Sequence, residues 1–317
     1  MTPVIKIENL VKRYGDLIAL DHLNLEVMPG EIFGLLGPNG SGKTTAINTI
    51  LSLLSFDKGE VQVFGRQMGP DSYDIKRRIG LVMQDVAVFD ELTVEQNIAY
   101  FCGLYERDRQ KAAGLVQSAI ALAGLQDFRR FYPKKLSGGL KRRLNIACGI
   151  AHKPELIFMD EPTVAVDPQA RNSILEGIVK LNREGATVVY TSHYMEEVEQ
   201  ICTRIAIMDR GRVIALGTKE ELKAMINLGE TISVQLLERV DEALEEGLRG
   251  LPGILSVKAE GGNLEIKTQR GHAGLAAVMN YLDGQKLGYG SIFSQQPTLN
   301  DVFLEITGKH LRDSVAG

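Results

Sequence analysis

The residues with the most definite chemical content are Gly37, Pro38, Asn39, Gly40, Ser41, Gly42, Lys43 and Thr44, which fit the spacing G-x-x-x-x-G-K-[ST]. A loop this rich in glycine turns its backbone N–H groups inward around phosphate oxygens, because no side chain obstructs the approach. Gly37, Gly40 and Gly42 supply that freedom. Lys43 would reach the β- and γ-phosphates of a nucleotide, and the Thr44 hydroxyl would ligate Mg²⁺. A helix starting here would point its positive end at the same anion. The flanks agree: residues 31–36 read as a short buried strand, and Ile47, Ile50, Leu51 and Leu54 follow one helix face. Strand, loop and helix stand in the order that phosphate binding requires.

A second constellation lies downstream. Residues 156–159 are continuously apolar, as expected of a parallel strand buried on both faces, and they lead into Asp160, Glu161 and Pro162. Strand C-termini are where doubly wound sheets bind ligands. There Asp160 would hold Mg²⁺ and Glu161 would orient and polarise an attacking water. Asp167 and Pro168 read as the cap and first residue of the next helix. Residues 187–191 form another core strand, with His193 just past its end. A lone histidine is more often structural, yet this address is within reach of a γ-phosphate. Ser137, Gly138 and Gly139 precede a helix expected from Lys141 to about Ala151. They are either a second anion cradle or a flexible cap. Lys134, Lys135, Lys141, Arg142 and Arg143 come without interleaved aromatics and are expected on a solvated helix face rather than at a nucleic acid.

The elements that must position these groups are legible as well. Residues 4–11 and 20–27 alternate apolar and polar side chains and read as antiparallel strands. Tyr14, between them, either stacks on an adenine ring or is a surface aromatic of a hairpin. Residues 60–64 and 79–83 are further strands, the second ending in Gln84. From Thr93 the pattern turns helical: Thr93 to Gln96 is a capping box, and residues 111–123 form a helix with Leu115, Ala119 and Leu122 on one face. This helical region, about 85–152, reads as an insert in an alternating α/β domain.

Length and composition narrow the classes. The 317 residues suffice for one large domain or two smaller ones, and a net charge of −4 gives no general attraction to nucleic acid or acidic membranes. Cys102, Cys148 and Cys202 are odd in number and widely spread, so free thiols in a reducing compartment are expected. The five histidines lack ligand spacing, so no structural metal is expected. The N-terminus has no signal-peptide pattern, and no apolar run approaches the roughly 18 residues of a membrane span. A soluble chain is expected, reaching any membrane through a partner.

The last third has a different pattern. A capping box at Thr218 to Glu221 opens a helix to about 227. Residues 231–237, 254–259, 264–267 and 286–294 then read as strands. Helices fall at 240–248 and around Leu275, Val278, Met279 and Leu282. The order β-α-β-β-α-β is that of a ferredoxin-like sandwich. A final helix is set by Pro297, Thr298 and Asp301, with Leu299, Val302, Phe303 and Ile306 on one face and Gly308 behind it.

In this order the motifs resemble those of the nucleotide-binding subunit of an ABC transporter, over about residues 1–225. Tyr14 resembles the adenine-stacking residue, Gly37 to Thr44 the Walker A motif, with Thr45 next to it also expected at the ATP, and Gln84 the Q-loop that couples Mg²⁺ to the permease. Ser137, Gly138 and Gly139 resemble the signature motif, Asp160 and Glu161 the Walker B pair, Asp167 the D-loop and His193 the switch histidine. Leu140 stands where the prototype has glutamine, and Ala165 and Val166 depart from the usual D-loop; the resemblance still implies intact ATPase activity. The tail around Pro297 to Phe303 resembles the small C-terminal domain of ATPases that drive drug, antibiotic and lantibiotic export.

The resemblance implies an α/β P-loop NTPase cassette with a mostly parallel core sheet, an antiparallel β subdomain and a helical insert. The cassette would fill residues 1–227, and a ferredoxin-like α+β accessory domain residues 228–317. It further implies ATP and Mg²⁺ as ligands, a homodimer that sandwiches ATP between Walker A of one copy and the signature of the other, and ABC-2 type permease partners at the cytoplasmic face of the membrane. No nucleic-acid partner is expected. An import subunit and a soluble non-transport ABC ATPase are the alternative readings.

Overall fold

The structure is a computed structural model and describes residues 2–308. The chain divides into two compact units, the first running to Lys219 and the second starting at Glu220. The short helix Lys219–Ala224 therefore begins at the division, whereas the sequence reading carries the first unit to 227.

The first unit is built on a six-stranded sheet. Its spatial order is Arg212–Gly217, Arg204–Asp209, Ile32–Leu36, Thr187–Ser192, Leu156–Asp160, Ile79–Val82. All neighbours are parallel except the first pair, which is an antiparallel edge. The three central strands are buried at every residue, which accounts for their unbroken apolar sequences. Every parallel strand runs so that its C-terminal end opens into one row of loops, and those loops carry Gly37, Gln84, Glu161 and His193.

A second, antiparallel sheet has the order Leu17–Val27, Ile5–Tyr14, Lys58–Val63, Arg66–Gln67. Its first two strands run past their expected ends, to the pair Tyr14 and Leu17, so Tyr14 sits at the mouth of a tight hairpin turning at Gly15 (φ 58°). One cluster of buried Val, Leu and Ile side chains joins this sheet to the central strands and to the helix Lys43–Ile50. That helix stops at Ile50, a turn earlier than its apolar spacing suggests, and Leu54 lies outside it.

The helical insert packs Val94–Gly103, Arg109–Leu122 and Gly138–Ile150 around their own cluster. Thr93 forms the expected capping box with Gln96. On Arg109–Leu122 the buried face is Val116, Ala119 and Ile120, with Leu115 half-buried against the cluster; Leu122 falls off that face. The third helix begins at Gly138, not at Lys141. Ser137 caps it by accepting from the Leu140 N–H, so two glycines that oppose helix by propensity are recruited by their cap.

The second unit has the predicted β-α-β-β-α-β order. Its strands lie side by side as Ile254–Glu260, Asn263–Gln269, Leu228–Leu236, Tyr289–Gln295, with every neighbour antiparallel. Glu242–Arg249 and Gly274–Gly284 contribute Leu244, Leu248, Val278 and Leu282 to its core. The closing helix Leu299–Thr307 carries the Thr298/Asp301 capping box and ends at Gly308 in the left-handed conformation.

Phe158 is fully buried in the strand that ends at Asp160, so Phe158→Ala should destabilise the protein by about 3–5 kcal/mol. The exposed Leu53 provides the contrast, and Leu53→Ala should change stability by less than about 0.5 kcal/mol. Chemical denaturation of both variants checks the pair.

Candidate functional site

The glycine-rich loop connects the strand Ile32–Leu36 to the helix Lys43–Ile50. Its glycines are needed for different reasons. A Cβ at Gly37 would meet the Met208 carbonyl at 2.3 Å, so this position is a matter of space. Gly42 has φ 104° and would bring a Cβ within 2.7 Å of the Ala19 carbonyl, so both backbone and space require glycine. Gly40 (φ 80°) has open space beside it. Ser41 and Lys43 are buried while Asn39, Gly40 and Thr44 face solvent, which leaves a concave floor of N–H groups open on one side. Lys43 Nζ donates to the carbonyls of Gly37 (2.8 Å) and Pro38 (3.3 Å), folding the ammonium over the loop where an anion would be held. The Ser41 hydroxyl is buried without a hydrogen-bond partner, a second polar atom that a phosphate oxygen would satisfy.

Two neighbouring strand ends bring the acids to this loop. Thr44 Oγ1 donates to Asp160 Oδ2 at 2.8 Å, and Thr191 Oγ1 donates to Asp160 Oδ1 at 2.6 Å. Glu161 is pinned through its own N–H, which donates to Thr191 Oγ1 at 2.9 Å. Its backbone is left-handed (φ 47°), a strained conformation for glutamate that turns the carboxylate back toward the loop. Glu161 Oε1 lies 3.5 Å from Lys43 Nζ, and Oε2 lies 3.3 Å from His193 Nδ1. The His193 imidazole, reinforced by the Lys43 charge, holds the Glu161 carboxyl below the usual carboxylate range although burial pushes the other way. A carboxylate kept ionised beside a phosphate floor is suited to orienting and polarising water. The Thr44 hydroxyl and Asp160 form a small, hard oxygen pair, which fits Mg²⁺ shared with substrate phosphates better than a metal held by protein alone. Among the described residues no group of three or more His, Cys, Asp or Glu side chains could hold a metal.

The remaining sequence candidates fall elsewhere. Gln84 is exposed, and its backbone is clasped from the helix Gly138–Ile150. Arg142 Nη1 donates to the Met83 (3.1 Å) and Gln84 (2.6 Å) carbonyls, and Asn145 donates to Met83 as well. Arg142 is therefore not on a solvated face: it is 5% exposed, and burial pulls its pKa down. Its charge signalled surface, and only the two carbonyls awaiting a donor explain its place. Ser137 and Gly138 are exposed; a Cβ at Gly139 would lie 3.0 Å from Ala170 Cβ and 3.4 Å from Asp167 Oδ2. Asp167 caps its helix by accepting from the Ala170 N–H. The signature residues and Asp167 thus form a second group with its own support. Leu140 turns into the apolar cluster of the insert and leaves Ser137 and Gly138 exposed, while Gly139 is buried against Ala170. Tyr14 is exposed at its hairpin, with Lys12 Nζ 5.1 Å from the ring centre.

One buried acid escaped the sequence reading. Glu197, on the helix Met195–Ile201, is 2% exposed and accepts from Thr163, Tyr190 and Ser192. Its spacing of four from Ile201 was the signal that it shares the buried face of that helix.

A phosphate-binding loop, a parallel sheet whose strand ends supply the acids, and a helical insert carrying a Ser-Gly-Gly helix start define a P-loop ATPase cassette. Residues 20–164 match the ABC transporter family, and residues 217–307 match the family described as ATP-binding protein DrrA1-3-like, C-terminal domain. The chain is similar to the linearmycin resistance ATP-binding protein LnrL of Bacillus subtilis, 37% identical over 98% of this chain and 100% of that one. It is also similar to the daunorubicin resistance ATP-binding protein DrrA3 of Streptomyces coeruleorubidus (35%; 97% of each chain). A third relative is the Nod factor export ATP-binding protein I of Cupriavidus metallidurans (33%; 99% and 100%). Among solved structures, the dimeric ATP-binding cassette MJ0796 in a post-hydrolysis state bound to ADP and Pi aligns with a TM-score of 0.62 at 28% identity. That alignment spans 68% of this chain and 98% of that one. The chain belongs to the ABC transporter family as an ATP-binding subunit, and its cassette is an ATPase.

Gly42→Ala should weaken ATP binding by more than about tenfold through its left-handed backbone and the Ala19 clash. Gly114→Ala, in a helix with nothing near its Cβ, should leave affinity unchanged. Titration of each variant with a fluorescent ATP analogue measures both.

Proposed function

We propose that this chain hydrolyses ATP to power export of a drug, antibiotic or other amphipathic compound through a separate ABC-2 type permease. The observation that carries the proposal is the gathering of Lys43, Thr44, Asp160, Glu161 and His193 at one loop, in a chain that also bears a DrrA-like C-terminal domain. Residues 1–227 are read as the nucleotide-binding domain and 228–317 as an accessory domain. The names of the three relatives, all for resistance or export, support the direction of transport.

In this reading the N–H groups from Gly37 to Thr45 and the Lys43 ammonium bind the phosphates, and Tyr14 stacks on the adenine. Thr44, Asp160 and the Gln84 side chain would hold Mg²⁺, which screens charge on the phosphates. Glu161 orients the water and polarises it, while His193 holds Glu161 on one side and reaches the γ-phosphate on the other. Ser137, Gly138, Gly139 and Asp167 serve the nucleotide of a second copy; their grouping apart from the phosphate loop, with Ser137, Gly138 and Asp167 exposed, supports that division of labour. ATP would then join two copies, and its loss would release them.

Work passes to the permease through the Gln84 segment and the insert. Phe89 and Tyr100 expose 42% and 49% of their surface, with ring centres 4.9 Å apart. This patch, five residues beyond Gln84, suits an apolar segment of a membrane protein. Among the described residues no helix is long and apolar enough to cross a membrane. In this reading the chain works at the cytoplasmic face as a peripheral subunit, held there by the permease.

Isolation of the tagged chain from gently solubilised native membranes tests this directly. An integral-membrane partner without an extracellular binding protein is expected, and Tyr100→Glu should lose that partner while retaining ATP binding. Co-isolation of an extracellular binding protein would instead indicate import, and ribosomal or DNA partners with no membrane protein would contradict the transporter reading.

A further inference from the structure

The buried Glu197 is not used by the chemistry above, yet it touches every segment that positions it. Its Oε2 accepts three hydroxyls: Thr163 at 2.8 Å, Tyr190 at 2.7 Å and Ser192 at 2.9 Å. Thr163 lies two residues beyond Glu161. Tyr190 and Ser192 belong to the strand end that leads into His193. Oε1 faces Arg171 Nε at 3.2 Å, an ion pair whose alignment gives neither atom a hydrogen bond. Arg171 lies one turn into the helix capped by Asp167. Its guanidinium also sits 4.7 Å above the Tyr194 ring, which in turn lies 4.1 Å from the His193 ring.

An almost fully buried carboxylate is costly unless it is bonded and paired, so this arrangement is strongly determined. The three hydroxyl bonds have direction and fix the strand end and the loop after Glu161 to one another. The Arg171 contact holds the Asp167 helix by charge alone, a contact that tolerates small rotations.

We infer that Glu197 is a positioning residue for ATP hydrolysis. It locks the loop after Glu161, the Asp167 helix and the His193 turn into one unit, so that His193 meets Glu161 when Asp167 faces the second copy. The inference rests on the roles proposed for Glu161 and His193. It assigns Glu197 no contact with nucleotide, which predicts a particular division between binding and turnover.

The test uses the full chain and four variants: Glu197→Gln, Arg171→Met, the double variant and Glu161→Gln. Glu197→Gln preserves shape but removes charge and rearranges the hydroxyls. It should lower kcat by roughly tenfold or more, with KM for ATP and the affinity for a fluorescent ATP analogue within about threefold of the parent. Arg171→Met should also lower kcat. The double variant should be little worse than Glu197→Gln alone, because the two act as a unit. A merely structural role would lower the melting temperature while kcat per ATP-binding subunit stayed parental, and that result would overturn the inference. Should Glu197→Gln not fold, Ser192→Ala and Thr163→Val each remove one donor; both are expected to lower kcat at unchanged affinity, and parental kcat in both would overturn it equally. Parental turnover in Glu161→Gln would sink the proposed site itself, an outcome separate from any result at Glu197.

Discussion

Two adjacent carboxylates, Asp160 and Glu161, end a wholly apolar strand and are each less than a tenth exposed. Charges in such a place are tolerable only when paired and hydrogen-bonded. That requirement accounts for the rest of the site. Thr191 bridges the pair, accepting from the Glu161 N–H and donating to Asp160. Thr44 brings the start of the phosphate-loop helix to Asp160, while Lys43 and His193 flank Glu161. The sheet order places the three strands involved side by side, so the partners come from loops far apart in sequence and adjacent in space.

The same logic extends outward through buried polar groups that serve loop geometry. Arg142 and Asn145 hold the carbonyls of the Gln84 segment from the helix that starts at the signature residues. A displacement of that segment would therefore act on the helix Gly138–Ile150 through two side chains. Glu197 ties the segments behind Glu161, Asp167 and His193 in the same manner. Both devices anchor the ends of segments that lead into loops, and both place their charge out of water.

The fold was largely legible because its signals are local. Glycine spacing, unbroken apolar strands and the caps at Thr93, Asp167 and Thr298 each act within a few residues, and each appears where its chemistry indicates. The polar catalytic candidates were legible as types but not as partners: nothing in the order of residues says that Thr191 bridges Asp160 and Glu161. The failures share one cause. Arg142 carries charge and so reads as surface, and Glu197 drew no reading at all, whereas long-range carbonyls and hydroxyls, invisible in sequence, make their burial favourable. The helix start at Gly138 was hidden by the poor propensity of two glycines, which the Ser137 cap overrides.

In the proposed dimer two ATP molecules are held between two copies, each acted on by Glu161 of the copy whose phosphate loop binds it. The most direct measurement is the solution mass of the full-length Glu161→Gln protein by light scattering, with ATP and with ADP. The account predicts a dimer with ATP and single subunits with ADP. Equal masses in both nucleotides, whether one subunit or two, would contradict it.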